Sequence, residues 1–279
     1  MAAPTASTST RLATNRHIEQ LLADRETVLN QGVPLGPLTT EQLDQVRQYT
    51  GYGGIEHEST IGTPQLTEYY TPVDLVRKMW ALVHHYHPQP IRRVLDPAVG
   101  SGRFLECLPP SAEHVDAYDV SAGAIAVARA LYGPRPGLRF TQAPFESLFF
   151  EGRTSIAARR ISEARAGHGY DLVIGNPPYG TFQGTYAGLG EREATGANSW
   201  DEYFISRGLD LLNPGGVLCY VVGGSVEAGS VQFLDREHRS TYHPRVFAKA
   251  QLLDAFRLPQ GIFLDTDVST EILLFRKRR

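Results

Sequence analysis

The sequence predicts an α/β fold in which a mostly parallel, seven-stranded sheet is covered by helices on both faces, and three observations predict it. Apolar segments of strand length alternate with segments of helical period from Arg93 to Phe275. The first strand runs into Asp96-Pro97-Ala98-Val99-Gly100-Ser101-Gly102, a glycine turn that opens a helix at Arg103. Polar residues stand directly after other strands, as Asp119 and Asn176 do, at the carboxyl edge where open α/β sheets keep their crevice.

Residues 1–15 are rich in Ser, Thr and Ala and are expected to form a disordered tail. Residues 16–65 read as a helical extension. Ile18, Leu21, Leu22, Val28 and Leu29 suit one helix, and a second begins near Thr39-Thr40-Glu41. The extension closes on Thr50-Gly51-Tyr52-Gly53-Gly54, too glycine-rich for a helix. Residues 66–279 read as one catalytic domain without a separate recognition domain. Its strands are expected at 93–95, 115–118, 138–140, 172–174, 217–222, 252–256 and 272–275, and its helices near 73–87, 101–108, 121–132, 154–166 and 200–212. The segments 180–199 and 223–243 are long, polar and glycine-bearing, and are the candidate substrate loops.

The chain has 279 residues, 42% of them hydrophobic, with no run apolar enough to cross a membrane, so a soluble cytoplasmic protein is expected. Cys107 and Cys219 are too few for a disulfide framework or a cysteine zinc site. The His84-His85-Tyr86-His87 cluster sits at a helix end without a matching ligand set, so no metal is expected. A net charge of −3 argues against coating nucleic acid by bulk electrostatics, so any such contact must be local. Candidates are Arg236, Arg239, His243, Arg245 and Lys249, and the terminal Arg276-Lys277-Arg278-Arg279. A charged helix face or a solubilising tail explains the same residues.

The glycine turn at 96–102 permits close approach by a ligand through Ala98, Gly100 and Gly102, but Leu105 stands where a dinucleotide fingerprint needs its third glycine. Asp119 stands 23 residues after Asp96, where a carboxylate can accept both ribose hydroxyls, or can cap the helix starting at Ser121. After the third strand, Phe145 could flank an adenine and Glu146 accept from its amine. Tyr70 and the Thr71 hydroxyl precede a helix led by Pro72, where they either bind the polar end of a cofactor or simply start the helix.

Asn176-Pro177-Pro178-Tyr179, directly after Leu172-Val173-Ile174-Gly175, points to chemistry on a planar amino nitrogen. An exocyclic amine on an aromatic ring is a poor nucleophile because its lone pair is delocalised. The Asn176 side-chain oxygen and the Pro177 carbonyl can both accept from the NH2 and localise that lone pair, while the Pro-Pro step holds the backbone extended and donates nothing. Tyr179 offers a flat face for a base, a contact worth roughly 1–3 kcal/mol in single-stranded sites. Neither cysteine follows a proline as a cytosine-C5 nucleophile would.

With these pieces in order, the chain resembles the gamma-class N6-adenine DNA methyltransferases of restriction–modification systems over roughly residues 66–279. Tyr-Tyr-Thr-Pro at 69–72 is similar to that family's motif X, the 96–102 turn to motif I, and Asn176 to Tyr179 to motif IV. Leu258-Pro259-Gln260-Gly261-Ile262-Phe263 is similar to motif VIII, which nominates Phe263 to stack on the extruded base. The 50–54 loop resembles a segment of large phage- and plasmid-encoded DNA methyltransferases. The resemblance implies a Rossmann-like class I fold and S-adenosylmethionine held by Tyr70, Thr71, Asp96, Ala98, Gly100, Gly102, Asp119, Phe145, Glu146 and Asn176. It implies DNA as partner, an adenine flipped into the site, and direct methyl transfer with Asn176, Pro177, Pro178 and Tyr179 as the acceptor corner. Because the sequence ends at the last strand, specificity is expected to be weak, to fall to the 180–199 and 223–243 loops or the helical extension, to come from a specificity subunit or second copy, or to lie in a recognition domain removed by truncation. RNA adenine and a protein glutamine amide present the same conjugated NH2 and stay open as acceptors. A non-catalytic subunit of a larger defence complex stays open as a role.

Overall fold

A computed structural model describes residues 8–51, 71–151, 159–160, 169–182, 190–224, 242–263 and 269–279. Its seven-stranded sheet has the order β3-β2-β1-β6-β7-β9-β8, from β1 (Arg93–Asp96), β2 (His114–Asp119), β3 (Leu138–Gln142), β6 (Tyr170–Gly175), β7 (Leu212–Gly224), β8 (Ala250–Arg257) and β9 (Ser269–Lys277). β1 pairs in parallel with β2 and β6, β2 with β3, and β6 with β7. β9 runs antiparallel to both β7 and β8. All seven expected strands form. The chain leaves β1 toward β2 and β3, then crosses to β6 on β1's other side, so the switch point lies between β1 and β6.

Alternation along β7 shows why this sequence makes a sheet buried on both faces. Val217, Cys219 and Val221 pack on one side with Leu172, Ile174 and the α3 (Val73–Tyr86) residues Val76, Met79 and Val83. Leu218, Tyr220 and Val222 pack on the other with Val173 and the α6 (Trp200–Leu211) residues Tyr203, Phe204 and Leu209. Burying each such aliphatic side chain stabilises the fold by about 1.5–3 kcal/mol.

At the amino end the structure departs from expectation. Helix α1 spans Thr8–Asn30, so residues 8–15, read as part of a disordered tail, are helical. The reason is Asn15, which is fully buried. Its amide nitrogen donates to the Gly51 carbonyl, and its oxygen accepts from Thr50 N at 3.1 Å. With α2 (Thr40–Val46), α1 packs Ile18, Val46 and Tyr49 on Val127 of α4 (Ala122–Tyr132).

Three further differences concern local signals. Residues 103–107 form a 3-10 turn rather than an α-helix. Arg159 and Arg160, inside an expected helix, instead form β5 against β4 (Phe150–Glu151), and the rest of 154–166 lies outside the described residues. The candidate loops contain α5 (Glu191–Thr195) and the start of α7 (Tyr242–Lys249).

The terminal basic run, expected to be a nucleic-acid contact or a solubilising tail, is used structurally. Arg276 donates to the carbonyl of Tyr86, the last residue of α3. Lys277 Nζ donates to the Asp210 and Leu212 carbonyls at 3.0 and 2.8 Å, at the end of α6. Arg278 Nε donates to the Phe247 carbonyl at 2.9 Å, in the last turn of α7. Three consecutive cations thus satisfy carbonyls at the negative ends of three helices. Arg276 pairs with Val217, which lies beside Leu172 near the start of β6, so this run sits at the edge of the sheet opposite Asp96 and Asn176.

Candidate active site at the carboxyl edge of the sheet

The loops after β1 and β6 flank the switch point, and a glycine joins them. Gly175, the last residue of β6, leaves no room for a side chain: a Cβ there would lie 2.9 Å from Asp96 Oδ1 and 3.7 Å from Pro97 Cδ. A strand glycine that permits close approach therefore seats the Asn176 corner against the first turn.

Asp96 is fully buried, and its Oδ1 accepts from Ala98 N at 3.2 Å while Oδ2 has no partner among the described residues. Burial pushes its carboxyl well above the usual range, and Asp119 adds to the rise. The turn continues through Gly100 and Gly102, whose φ values of 52° and 86° lie in the left-handed region. A side chain at Gly102 would also meet the Tyr132 ring at 2.7 Å. Ser101 is buried in the same turn, its Oγ also without a partner among the described residues. Two orphaned polar atoms in one glycine cradle fit a polar ligand lying there.

Asp119 ends β2 and ties two loops together: Oδ2 accepts from Gly100 N at 2.8 Å and Oδ1 from Ser121 N at 2.9 Å. Burial raises its pKa, and the N–H donors at Ser121 and Gly100 oppose the rise. The cap of α4 is Ser121, whose Oγ accepts from Ala124 N, so Asp119 is a loop tie with lone pairs to spare for a hydroxyl. Val120, next in sequence and 43% exposed, is an apolar shelf at the same edge that sequence reading missed; an exposed apolar residue after a strand-ending carboxylate was its only signal.

Two residues of the expected cofactor set sit elsewhere. Phe145 is 2% exposed and packs on Phe204 at 4.6 Å and Phe149 at 5.6 Å between ring centroids, so its faces are committed to the core. Glu146 is buried with it, and burial followed by the charge of Glu191 pushes its carboxyl up to about 7. Thr71 is buried just ahead of α3, with Pro72 as the helix cap rather than its first residue. Tyr70 and most of the 50–54 loop lie outside the described residues.

At the acceptor corner, Pro177 is buried, and Asn176, Pro178 and Tyr179 are half-buried. The Tyr179 hydroxyl donates to Asn176 Oδ1. Its ring lies over Gly223 of β7, where a Cβ would make ordinary contact at 3.6 Å. No signal in the sequence marks this floor. Phe263, nominated to stack on a base, is 4% exposed and packs with Leu258 and Ile262 in the core on the α3 side. A base needs an open face, and in this structure Tyr179 rather than Phe263 stands at the corner.

Comparison with known proteins finds relatives in sequence and in fold. Residues 142–230, which contain the corner, match the Eco57I restriction-modification methylase family. The chain is 29% identical over 258 residues to Defense against restriction protein B of Escherichia phage P1, covering 90% of this chain and 10% of that protein. It is 26% identical over 226 residues to the EcoKI type I restriction enzyme methylase subunit of Escherichia coli K12, covering 75% of this chain and 40% of that subunit. The chain thus spans well under half the length of these curated relatives. Among solved structures, a Listeria monocytogenes protein assigned to the class I S-adenosylmethionine-dependent methyltransferases superposes with a TM-score of 0.57 at 17% identity, over 95% of this chain and 79% of that one. A protein from Vibrio vulnificus assigned as a type I restriction enzyme modification subunit superposes with a TM-score of 0.56 at 17% identity, over 88% of this chain and 51% of that one. The fold is that of the class I S-adenosylmethionine-dependent methyltransferases.

Proposed function

We propose that this chain is the catalytic part of a DNA methyltransferase that methylates the N6 amine of adenine using S-adenosylmethionine. The observation that carries the reading is the close seating of Gly175 on Asp96, which puts an amine-binding corner beside a glycine cradle with orphaned polar atoms. The residues that would hold the cofactor are Asp96, Ala98, Gly100 and Gly102 of the turn, the remaining lone pairs of Asp119, and the apolar surface of Val120. The cofactor supplies an electrophilic methyl group.

The chain's own residues deal with the acceptor. Asn176 Oδ1 already accepts from the Tyr179 hydroxyl; an amide oxygen has a second lone pair, which suits one N6 hydrogen, and the Pro177 carbonyl suits the other. Drawing both hydrogens toward oxygen acceptors localises the lone pair on nitrogen. Tyr179, resting on Gly223, offers the stacking face for a base removed from the duplex at a cost of a few kcal/mol. The similarity to methylase subunits of type I restriction enzymes supports a partner subunit, to which selection of the DNA site would fall.

The test is transfer of label from tritiated S-adenosylmethionine to DNA, RNA and protein in parallel, with nucleoside mass spectrometry of the products. N6-methyladenine in DNA is the expected product; labelled glutamine or labelled RNA alone would replace the proposed acceptor.

A further inference from the structure

The amino-terminal helical layer touches the cofactor half of the sheet on both sides of the glycine turn. On one side, Arg103, the residue after Gly102, donates from its guanidinium to the Arg47 carbonyl at 3.3 Å. On the other, Gly123 in the first turn of α4 fits against a pair from the layer. The hydroxyl of fully buried Tyr49 donates to Glu19 Oε1 at 2.8 Å. A Cβ at Gly123 would lie 2.4 Å from that same oxygen and 3.1 Å from the hydroxyl. The circuit closes through Asp119, which binds Gly100 N of the turn and Ser121 N at the cap of α4. Asn15 secures the layer's end of the circuit by holding the backbone of Thr50 and Gly51.

We infer that Glu19, Tyr49 and Gly123 are positioning residues for the cofactor, holding the amino end of α4 so that Asp119 stays registered against the glycine turn. This rests on the cofactor reading above. Apolar packing of Ile18, Val46 and Tyr49 on Val127 holds the layer to α4, and the joint at Gly123 adds a directional element: a hydrogen-bonded polar pair set against a residue with no side chain. A loss of that registration of about 1 Å can cost on the order of 100-fold at a site built on oriented groups.

The experiment is calorimetric titration of the full chain with S-adenosylhomocysteine, using Glu19→Gln, Glu19→Ala, Tyr49→Phe, Gly123→Ala and Asp119→Ala, alongside thermal unfolding of each free protein. Tyr49→Phe, Glu19→Ala and Gly123→Ala are expected to raise Kd about tenfold or more, while Glu19→Gln, which keeps an acceptor for the Tyr49 hydroxyl, stays within about twofold of the parent. Rescue by Gln separates positioning from bulk packing, and Tyr49→Phe keeps the ring in the core should Gly123→Ala not fold. If Asp119→Ala weakens binding but the three layer variants bind like the parent, the positioning role is wrong and the cofactor reading stands. If Asp119→Ala also binds like the parent, the cofactor does not lie on this loop and both fail.

Discussion

Replacing Gly175 with alanine tests the joint on which the site is built. The new Cβ would stand 2.9 Å from Asp96 Oδ1 and 3.6 Å from Asp96 Cγ, and the obstacle is a short, fully buried side chain held by Ala98 N, not the free end of a flexible one. Ordinary contact requires the two loops to part by about half an ångström, the tolerance within which a functional constellation must be held. Overpacking of this kind costs about 1–3 kcal/mol of stability. The functional loss should be larger, about 10- to 100-fold in turnover divided by KM, because the shift is spent between the cofactor turn and the acceptor corner. Chemical denaturation measures the first quantity, and steady-state methylation of DNA with calorimetric S-adenosylhomocysteine binding measures the second. A variant with unchanged affinity and turnover would refute the argument that these loops act as one unit.

Substitutions at four other residues probe the buried charges and the acceptor corner. Glu146 has its carboxyl raised from 4.5 to about 7 by burial, so the folded protein binds the extra proton between those values and stability falls as pH rises through that window. Glu146→Gln, which mimics the protonated acid, should therefore gain up to about 3 kcal/mol over the parent at pH 8 and little at pH 4.5, read from denaturation midpoints at both; an equal gain at both would contradict the assignment. Arg207 binds Glu191 through two hydrogen bonds of 2.6 and 2.5 Å, with the carboxylate fully buried, so Arg207→Leu should cost about 3–5 kcal/mol in denaturation and Arg207→Leu with Glu191→Leu much less. At the corner, Tyr179→Phe should keep KM for DNA near the parent value because the ring stays on Gly223, whereas Tyr179→Ala removes stacking worth roughly 1–3 kcal/mol and should raise KM at least fivefold.

The sheet was legible because strands buried in a two-sided sheet read as short apolar runs bounded by turn residues, and each of the seven segments read from Arg93 to Phe275 is a strand. The glycine turn and the Asn176 corner were legible because their residue types are demanded by backbone conformation and by hydrogen-bond inventory. What was not legible depended on direction or on distant partners. An aromatic after a strand can face the crevice or the core, and Phe145 and Phe263 face the core. Residues 8–15 have the composition of a tail, yet Asn15 finds its partners 35 and 36 residues away. The basic terminus looked like a surface feature because sequence does not show that three helix ends converge on it. The Gly175 contact with Asp96 joins residues from strands far apart in sequence and is visible only in three dimensions.

The central claim is that the Asn176 corner acts on the acceptor amine and not on the cofactor. Asn176→Ala separates the two, measured as S-adenosylhomocysteine affinity by calorimetry and as tritium transfer to unmethylated duplex DNA on the same preparation. Affinity is expected to stay within about threefold of the parent and transfer to fall by at least about 100-fold, the scale of losing one oriented polar group at a reacting centre. Transfer close to the parent rate with intact cofactor binding would contradict it.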